Sequence, residues 1–335
     1  MPRSEPPAVL TQDPAELLAD LAKGHIAARC LHVIAECGAA DAVGAAGATP
    51  AEIAAHTGLV ADAVDRMLRL LAAHGIFTRG TDGRYSHTAA SRLLRSDEPS
   101  SLRSYVRMTG MPAFWDRYTE LPATARRGRP QHDWPGLLEY FAAHPDESAL
   151  FNAAMVIKSR TVLPAVAAAY DFGRFGTIAD IGGGRGHLLD LVLDRAPQAQ
   201  GVLFELAHVI ADAAAGPRLT LVAGDFFTDA LPRADAYLLM DLLHDWDDTA
   251  ATQILAAVRR AAHRDSRVLI IETLVPETPG PHVGKTLDVI MLAVTGGRER
   301  TEAQHAALLA AAGLRLARVL PTTASQYSIV EAKVA

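Results

Sequence analysis

The chain has 335 residues, of which 50% are hydrophobic and 21% charged, and its formal net charge is −6. This length and composition suffice for the cores of two domains. The negative charge and the lack of a basic block argue against a nucleic acid or an anionic membrane as partner. Met1 to Ala8 lacks the apolar core of a signal peptide, and no apolar run reaches the roughly 18 residues of a membrane span. We therefore expect a cytoplasmic protein.

Residues 1–12 predict a loosely docked arm, and residues 13–98 predict a small helical domain. Its first helix begins at Asp13-Pro14, where an N-cap precedes a proline at the first helical position. The first helices have wide apolar faces, formed by Leu17, Leu18, Leu21, Ile26, Cys30, Leu31, Val33 and Ile34. Faces of this kind favour a homodimer interface.

The rest of this domain has the element order of a winged helix. A capping box at Thr49-Pro50-Ala51-Glu52 begins a short helix, a longer helix is predicted over 61–74, and a turn at Asp82-Gly83 joins a hairpin. The longer helix of a winged helix can enter the major groove of DNA. Here its acidic and basic residues cancel, so the electrostatic footprint of a DNA-binding protein is missing and a packing or dimerisation domain is favoured.

The two cysteines, Cys30 and Cys37, are predicted to be reduced, buried and inert. They lie on one predicted helix with their Cα atoms roughly 10 Å apart, beyond the ~7 Å limit for a disulfide. They form no C-x-x-C pair and the 13 histidines are scattered, so we predict no metal site.

Residues 99–170 predict helices separated by breaks at prolines, and they concentrate aromatic side chains. Only 6% of the chain is aromatic, so a local excess is informative. The segment predicts either a helical core or a cap whose side chains line a pocket for an aromatic ligand.

From residue 171 to 335, strands and helices alternate, which predicts an α/β fold with a doubly wound parallel sheet. The predicted strands are 177–181, 200–205, 219–223, 235–240, 267–272, 314–320 and 326–332. A ligand of such a sheet binds at the carboxyl ends of the strands, where the strand order reverses.

A glycine-rich turn follows the first of these strands. Asp180 to Gly186 reads D-I-G-G-G-R-G, which places backbone N–H groups near the start of a helix, where a carboxylate or phosphate is favoured. The spacing fails the dinucleotide pattern G-x-G-x-x-G, because the third glycine falls on His187 or on Leu189. The turn resembles the first motif of the S-adenosylmethionine-dependent methyltransferases.

Chemistry-bearing residues also end the next strands. Glu205 lies about 25 residues after the turn, where an acid can accept both ribose hydroxyls of an adenosine. Asp225 can accept the adenine amino group and Phe226 can cover the ring face. His244 closes the apolar run that follows the fourth strand and precedes a helix, and Glu272 ends the fifth strand.

Three segments carry a more specific resemblance. His244-Asp245-Trp246, Glu272 after a further 28 residues, and G-G-R-E-R-T at 296–301 together resemble the plant and bacterial O-methyltransferases of phenolic and polyketide natural products. The resemblance covers the whole chain and is most specific from Asp180 to Thr301. It implies a seven-stranded Rossmann-like sheet with an antiparallel last strand, an N-terminal winged-helix dimerisation domain, a homodimer and a helical cap. It also implies S-adenosylmethionine as methyl donor and S-adenosylhomocysteine as product.

The resemblance also implies roles for individual residues. His244 matches the general base, and Glu272 and Glu299 match the two carboxylates that flank it. The cofactor-binding positions are Asp180, Gly182, Gly184, Glu205, Asp225, Phe226 and Met240. The acceptor-facing positions are Phe151, Met155, Asp245, Trp246, Asp288 and Met291. The chain departs from the plant members at Met240, where they have lysine, and between Met291 and Glu299, where it is one residue shorter.

Physical chemistry supports these residue types independently. A phenol has a pKa near ~10, so a neutral imidazole must take its proton during attack, and a carboxylate on the other ring nitrogen fixes the tautomer. A sulfonium is already an activated methyl donor, so no metal is required and in-line positioning supplies the rest. We therefore expect methyl transfer to an aromatic or polyketide hydroxyl in secondary-metabolite biosynthesis. The alternatives are N-methylation or other chemistry on the same fold, and a DNA-binding regulator that senses a metabolite.

Overall fold

The computed structural model describes residues 13–211, 213, 215–324 and 326–335. They form two compact units: residues 13–116 with Phe141–Lys158, and Arg117–Tyr140 with Ser159–Ala335. The segment predicted as a cap, residues 99–170, is thus divided between the units. The predicted arm at 1–12 lies outside the described residues.

The first unit contains a helical domain with a short hairpin. Its elements are α1 (Pro14–Glu36), α2 (Pro50–Thr57), α3 (Ala61–Ala73), β1 (Phe77–Arg79), β2 (Tyr85–His87), α4 (Ala89–Arg92) and α5 (Arg103–Gly110). The predicted local signals are present, since Asp13 caps α1 and the Thr49-Glu52 capping box begins α2, which ends at the left-handed Gly58. The helices and hairpin enclose a core around Ile34, Ile53, Leu68, Leu71, Phe77 and Tyr85.

Four further helices follow along the chain. They are α6 (Pro112–Thr119), α7 (Leu121–Arg127), α8 (Trp134–Ala143) and α9 (Pro145–Ala169). Of these, α6, α8 and α9 run across the boundary between the units. Within the described residues no single helix is long and apolar enough to cross a membrane, while one bent pair, Pro145–Arg160 with Val162–Ala169, meets the criteria of length and composition alone.

Helix α1 contributes little to the core of its own unit. Only Ile34 and Ala35 are buried along it, whereas Leu18 is 69% exposed and Leu21 is 71% exposed. Cys30 and Cys37 are free thiols and half-buried, so burial is less complete than the sequence predicted. Burial raises the pKa of the thiol of Cys30, which lowers its reactivity at neutral pH.

The second unit is built on a seven-stranded sheet. Its strands are β3 (Thr177–Ile181), β4 (Gln200–Glu205), β5 (Leu219–Ala223), β6 (Ala236–Met240), β7 (Arg267–Glu272), β8 (Leu314–Pro321) and β9 (Ser328–Val334). The spatial order is β5-β4-β3-β6-β7-β9-β8, and β9 is antiparallel to both neighbours. The predicted fold class, with its antiparallel last strand, is confirmed.

Two helical layers cover this sheet, as expected for a parallel sheet buried on both faces. The helices that follow β3 along the chain are α10 (His187–Arg195), α11 (Ala207–Ile210), α12 (Asp248–Ala261), α13 (Val283–Val294) and α14 (Glu302–Ala311). Within the described chain, neither core layer contains residues of α13, whereas the carboxyl-terminal part of α9 packs in the layer with α10. Successive strand residues alternate between layers: Ile178 packs in the layer with α10, and Ala179 packs in the layer with α12 and α14. Strand β3 lies between β4 and β6, so the strand order reverses at its carboxyl end.

Candidate active site

The glycine-rich turn after β3 has a backbone that only glycine adopts easily. Gly182, Gly184 and Gly186 have φ values of 67°, 60° and 83°, in the left-handed region. A Cβ at Gly183 would lie 2.4 Å from the carboxylate of Asp180. The turn therefore brings bare backbone against a buried carboxylate.

Asp180 carries a buried carboxylate that lacks hydrogen-bond donors within the described chain. It is 1% exposed, and neither carboxylate oxygen has a hydrogen-bond partner among the described residues. Burial, followed by the charges of Glu205 and Asp190, raises the pKa of Asp180 to about 7. A buried carboxylate without donors is costly, so this position fits a ligand that supplies N–H donors.

Glu205, at the end of β4, closes the other side of the turn. Its Oε2 accepts the N–H of Gly184 at 3.0 Å, and its Oε1 accepts the N–H of Leu206 at 2.7 Å. Burial raises the pKa of Glu205, while these two N–H donors oppose that rise. Each oxygen keeps further acceptor capacity, as binding of a pair of hydroxyls requires.

An aromatic cluster stands at the ends of the neighbouring strands. Phe226 meets Trp246 edge-on at 6.0 Å between ring centroids, and Phe227 meets Trp246 at 4.8 Å. Asp225 Oδ1 accepts the N–H of Phe227 at 2.8 Å, which fixes the loop after β5. Met240, at the end of β6, packs partly buried against the core layer that contains α10. This part of the site therefore presents apolar side chains and aromatic rings, which suit an adenine ring.

His244 lies in a 3₁₀ turn, Leu243–Asp245, and is fixed at three points. Its backbone N–H donates to Glu272 Oε1 at 3.0 Å, and its backbone carbonyl accepts the N–H of Arg298 at 2.8 Å. Its ring Nδ1 lies 3.0 Å from Glu299 Oε1. Because Nδ1 is engaged by Glu299, Nε2 is the nitrogen available for proton transfer.

Acidic residues dominate the electrostatics of this imidazole. Burial lowers the pKa of His244, but the charges of Asp245, Glu299 and Asp241 outweigh burial and raise it to about 10. Asp241 adopts a left-handed φ of 48°, and the Tyr327 hydroxyl lies 3.0 Å from each of its carboxylate oxygens. Without ligands, these acidic groups therefore favour the protonated form of the His244 ring.

The two expected carboxylate partners of His244 play different parts. Glu299 meets the ring, whereas Glu272 meets the main chain of His244 and is fully buried. Burial raises the pKa of Glu272 to about 7, helped by Glu299 and Asp241 and opposed by His244 and Arg300.

Arg300, which the sequence analysis left without a role, ties the histidine turn in place. Its side chain is 0% exposed, and its Nη1 and Nη2 donate to the carbonyls of Leu243 and Trp246, each at 2.9 Å. Its Nε donates to Asp248 Oδ1 at 3.0 Å. Gly297 is equally constrained, because a Cβ there would lie 2.0 Å from the carbonyl oxygen of His244. The sequence signal for this role was the position of Arg300 in the motif 296–301, next to Glu299, which already had an assigned role.

The predicted acceptor-facing residues fall into two groups. Asp288, on α13, accepts the N–H of Glu299 at 3.1 Å, and burial raises its pKa. Met291 is three residues further along α13 than Asp288. Asp245 and Trp246 follow His244 directly in the chain. These four residues are therefore linked to the histidine turn, either by their position in the chain or through the bond between Asp288 and Glu299. The others, Phe151 and Met155, belong to the first unit. There, Phe151 packs on Phe114 and Phe141 with centroid distances of 6.2 and 5.0 Å.

Among the residues that the structure describes, no group of three or more His, Cys, Asp or Glu side chains is arranged to hold a metal ion. The carboxylates of Asp180 and Glu205 and the aromatic rings near them instead suit an organic ligand with a cationic nitrogen, a pair of hydroxyls and an aromatic ring. S-adenosylmethionine contains these groups, so the residues present fit it.

Comparison with known proteins assigns the family. A family model for the O-methyltransferase domain matches residues 118–315, and one for the O-methyltransferase dimerisation domain matches residues 19–97. A phenazine O-methyltransferase of Lysobacter antibioticus is 38% identical over 328 residues, covering 95% of this chain and 96% of the relative.

Solved structures agree with this result. A methyltransferase of calicheamicin biosynthesis, in its S-adenosylhomocysteine-bound form, has a TM-score of 0.84 and 37% identity, covering 97% of this chain and 100% of the other. An O-methyltransferase of neocarzinostatin biosynthesis, in complex with S-adenosylmethionine and 2-hydroxy-5-methyl naphthoic acid, has a TM-score of 0.81 and 32% identity, with coverage of 97% and 100%. The chain therefore belongs to the family of S-adenosylmethionine-dependent O-methyltransferases, with a dimerisation domain ahead of its O-methyltransferase domain.

Proposed function

We propose that this enzyme methylates a hydroxyl of an aromatic or polyketide small molecule by in-line displacement, with His244 as the general base and Glu299 and Glu272 as its supporting carboxylates. The observation that carries the proposal is the 3.0 Å contact between His244 Nδ1 and Glu299 Oε1. This contact leaves Nε2 to take a proton, and the carboxylate stabilises the imidazolium that forms.

The cofactor-binding roles follow the geometry of the glycine turn. Bound S-adenosylmethionine supplies a methyl group on a positively charged sulfur. The Asp180 carboxylate suits a cationic amino group beside the backbone of Gly182 and Gly184, because it is buried without other donors. Glu205 suits the ribose hydroxyls. Three residues suit the adenine side of the pocket, namely Asp225, Phe226 and Met240.

The proton transfer is energetically reasonable for a phenol. The charges of Asp245 and Glu299 stabilise the imidazolium that forms, which lowers the cost of moving the proton of a phenol, with its pKa of ~10, to Nε2. A bound cation near the same carboxylates lowers the His244 pKa towards its ordinary range. Because the ring must be neutral to accept a proton, we expect kcat/KM to rise with pH from about 6 to 9.

The acceptor class rests on the relatives. One methylates a phenazine, and the structure of another holds a hydroxylated naphthoic acid, which supports a fused-ring phenolic acceptor here. The residues proposed to face it are Phe151, Met155, Asp245, Trp246, Asp288 and Met291. The biosynthetic relatives also support a role in antibiotic or other secondary metabolism. The dimerisation family model supports a homodimer, and a cytoplasmic location stays a prediction.

Substitution of His244 separates base catalysis from packing. We predict that His244→Ala and His244→Gln both lower turnover at least ~10²-fold, because neither side chain accepts a proton at neutral pH. Calorimetry should give near-wild-type affinity for S-adenosylhomocysteine in both variants. The glutamine variant is the matched control, since its amide can still donate to Glu299. Near-wild-type turnover in either variant would remove His244 from the mechanism.

The acceptor can be sought directly. The purified enzyme is incubated with S-adenosylmethionine and a panel of hydroxylated benzoates, naphthoates and phenazines, together with their amino analogues. Mass spectrometry should find a phenol that gains one methyl group together with an equal amount of S-adenosylhomocysteine. Methylation of the amines alone would favour N-methylation, and absence of any cofactor binding by calorimetry would defeat the proposal.

A further inference from the structure

A second buried histidine lies behind the catalytic turn and has no assigned role. His305 and Glu272 are both 0% exposed, and His305 Nε2 lies 3.6 Å from Glu272 Oε2. Within the described part of the chain, neither that oxygen nor either ring nitrogen of His305 has a hydrogen-bond partner. Buried polar groups are nearly always paired, so these two facing groups require an explanation.

The pair joins α14 to the catalytic turn. His305 is in the first turn of α14, where its N–H donates to the Thr301 carbonyl at 3.0 Å. Glu272 ends β7 and uses its other oxygen, Oε1, to accept the N–H of His244. The position of the Glu272 carboxylate therefore affects the main chain that carries the general base.

We propose that His305 is a positioning residue that shares a proton with Glu272 and so holds this carboxylate on the backbone N–H of His244. The proposal rests on the proposed function, in which His244 is the base. It goes further by assigning a buried residue, outside the acceptor and cofactor sites, to the alignment of that base.

The pair of Glu272 and His305 has two hydrogen-bonding arrangements, which differ by one proton. When Glu272 is ionised, His305 carries its proton on Nε2 and donates it to Oε2. When the pair takes up one proton from solvent, Glu272 becomes the donor through its O–H, His305 Nε2 becomes the acceptor, and the ring proton resides on Nδ1. A closing movement of about 0.6 Å brings the 3.6 Å contact to a normal hydrogen bond in either case.

The charges around the pair favour proton uptake by the carboxyl rather than by the ring. Burial lowers the pKa of His305 to about 4, with Arg300 adding to the fall and Asp248 opposing it. Burial raises the pKa of Glu272 to about 7, among the charges of His244, Glu299, Arg300 and Asp241. Near neutral pH the carboxyl therefore titrates while the imidazole stays neutral.

Histidine NMR tests the pair without any acceptor. Full-length protein labelled with ¹⁵N-histidine is titrated from about pH 5.5 to 8.5, and the His305 signals are identified by their loss in His305→Gln. We expect His305 to change from the Nδ1–H to the Nε2–H tautomer as pH rises, and to show no such change in Glu272→Gln. A single tautomer throughout, or the same change in Glu272→Gln, would overturn the proposal.

Turnover with the best phenol of the screen gives an independent readout. Glutamine at 305 can donate to Glu272, whereas phenylalanine fills similar space and cannot. We expect His305→Gln to keep kcat within about threefold and His305→Phe to lower it at least about tenfold, with the Kd for S-adenosylhomocysteine unchanged in both. Equal kcat values for the two variants would contradict a positioning role. If the wild type methylates nothing, the proposed function fails, and the NMR titration alone decides the pair.

Discussion

Asp180 carries a carboxylate that the sheet buries and that the described chain leaves without hydrogen-bond donors. Such a group destabilises the protein, and under the proposed function it gains its partners when S-adenosylmethionine binds. The raised pKa of Asp180 has the same physical cause, since burial disfavours the ionised carboxylate. We therefore expect the contribution of Asp180 to the free energy of unfolding to depend on pH and on the presence of the cofactor.

The pH dependence has a defined sign. The folded-state pKa of about 7 exceeds the ordinary 3.8, so the folded protein retains a proton that the unfolded chain releases. The resulting stability is fully present below pH 3.8 and is lost as pH rises through about 7. We predict that Asp180→Asn, which cannot ionise, is about 1–3 kcal/mol more stable than wild type at pH 8, with a smaller difference at pH 5.

Urea unfolding at the two pH values measures this prediction, and calorimetry measures the functional cost. The affinity of Asp180→Asn for S-adenosylhomocysteine should fall at least about tenfold, since a charged hydrogen bond is lost. Asp194→Asn is the matched control: this aspartate is exposed on α10, and its removal should change stability by less than ~0.5 kcal/mol. A wild type and Asp180→Asn with the same pH dependence would refute the assignment.

At the level of elements, the site depends on how the segment 296–301 holds the turn that carries His244. The Arg298 N–H and the Arg300 guanidinium both donate to carbonyls of that turn. Glu299, between them, holds the imidazole. Three consecutive residues of one short segment thus orient the backbone and the imidazole ring of His244.

Loss of the Arg300 side chain should be costly. Arg300→Met removes the side-chain donor to the Trp246 carbonyl and leaves the Leu243 carbonyl with only the Trp246 N–H. A buried acceptor that loses its partner costs roughly 1–3 kcal/mol, so we predict a loss of about 2–4 kcal/mol in the free energy of unfolding. Turnover should also fall, because the His244 turn is less restrained. Chemical denaturation and S-adenosylhomocysteine release measure the two effects.

Arg298→Met is the matched control. The Arg298 side chain is 47% exposed and forms an ion pair with the exposed Asp248, and exposed pairs contribute ~0–1 kcal/mol. Its backbone N–H, which holds the His244 carbonyl, is retained in this variant. Similar destabilisation by both substitutions would show that Arg300 has no special part in holding the turn.

The elements themselves could be predicted from sequence because their signals are local. Strand β3 was predicted at 177–181 and is Thr177–Ile181, and β9 was predicted two residues early. The contacts of Glu272 could not be predicted, because its partners His244 and His305 come from distant turns and helices. The sequence pattern indicates that a carboxylate ends a strand, but tertiary packing determines whether that carboxylate contacts an imidazole ring or a backbone N–H.

At the scale of the whole molecule, the amino-terminal half of α1 exposes large apolar side chains among the described residues. This 23-residue helix is roughly 35 Å long, and its apolar residues Leu18, Leu21 and Ile26 are 69%, 71% and 47% exposed. Burying a leucine side chain contributes about 1.5–3 kcal/mol. Since the dimerisation family model begins at residue 19, a second copy of this chain is the partner that we expect to cover this face.

The doubly substituted Leu18→Glu/Leu21→Glu chain tests that expectation. Placing carboxylates in an apolar interface exposes each copy to desolvation and like-charge repulsion, so we predict a dimer for wild type and a monomer for the variant at micromolar concentration. Light scattering after gel filtration measures the mass of each. Val60→Glu is the control, because Val60 is also 71% exposed in the first unit but precedes α3, and it should remain dimeric. A dimeric double variant, or a monomeric Val60→Glu, would place the interface elsewhere than on α1.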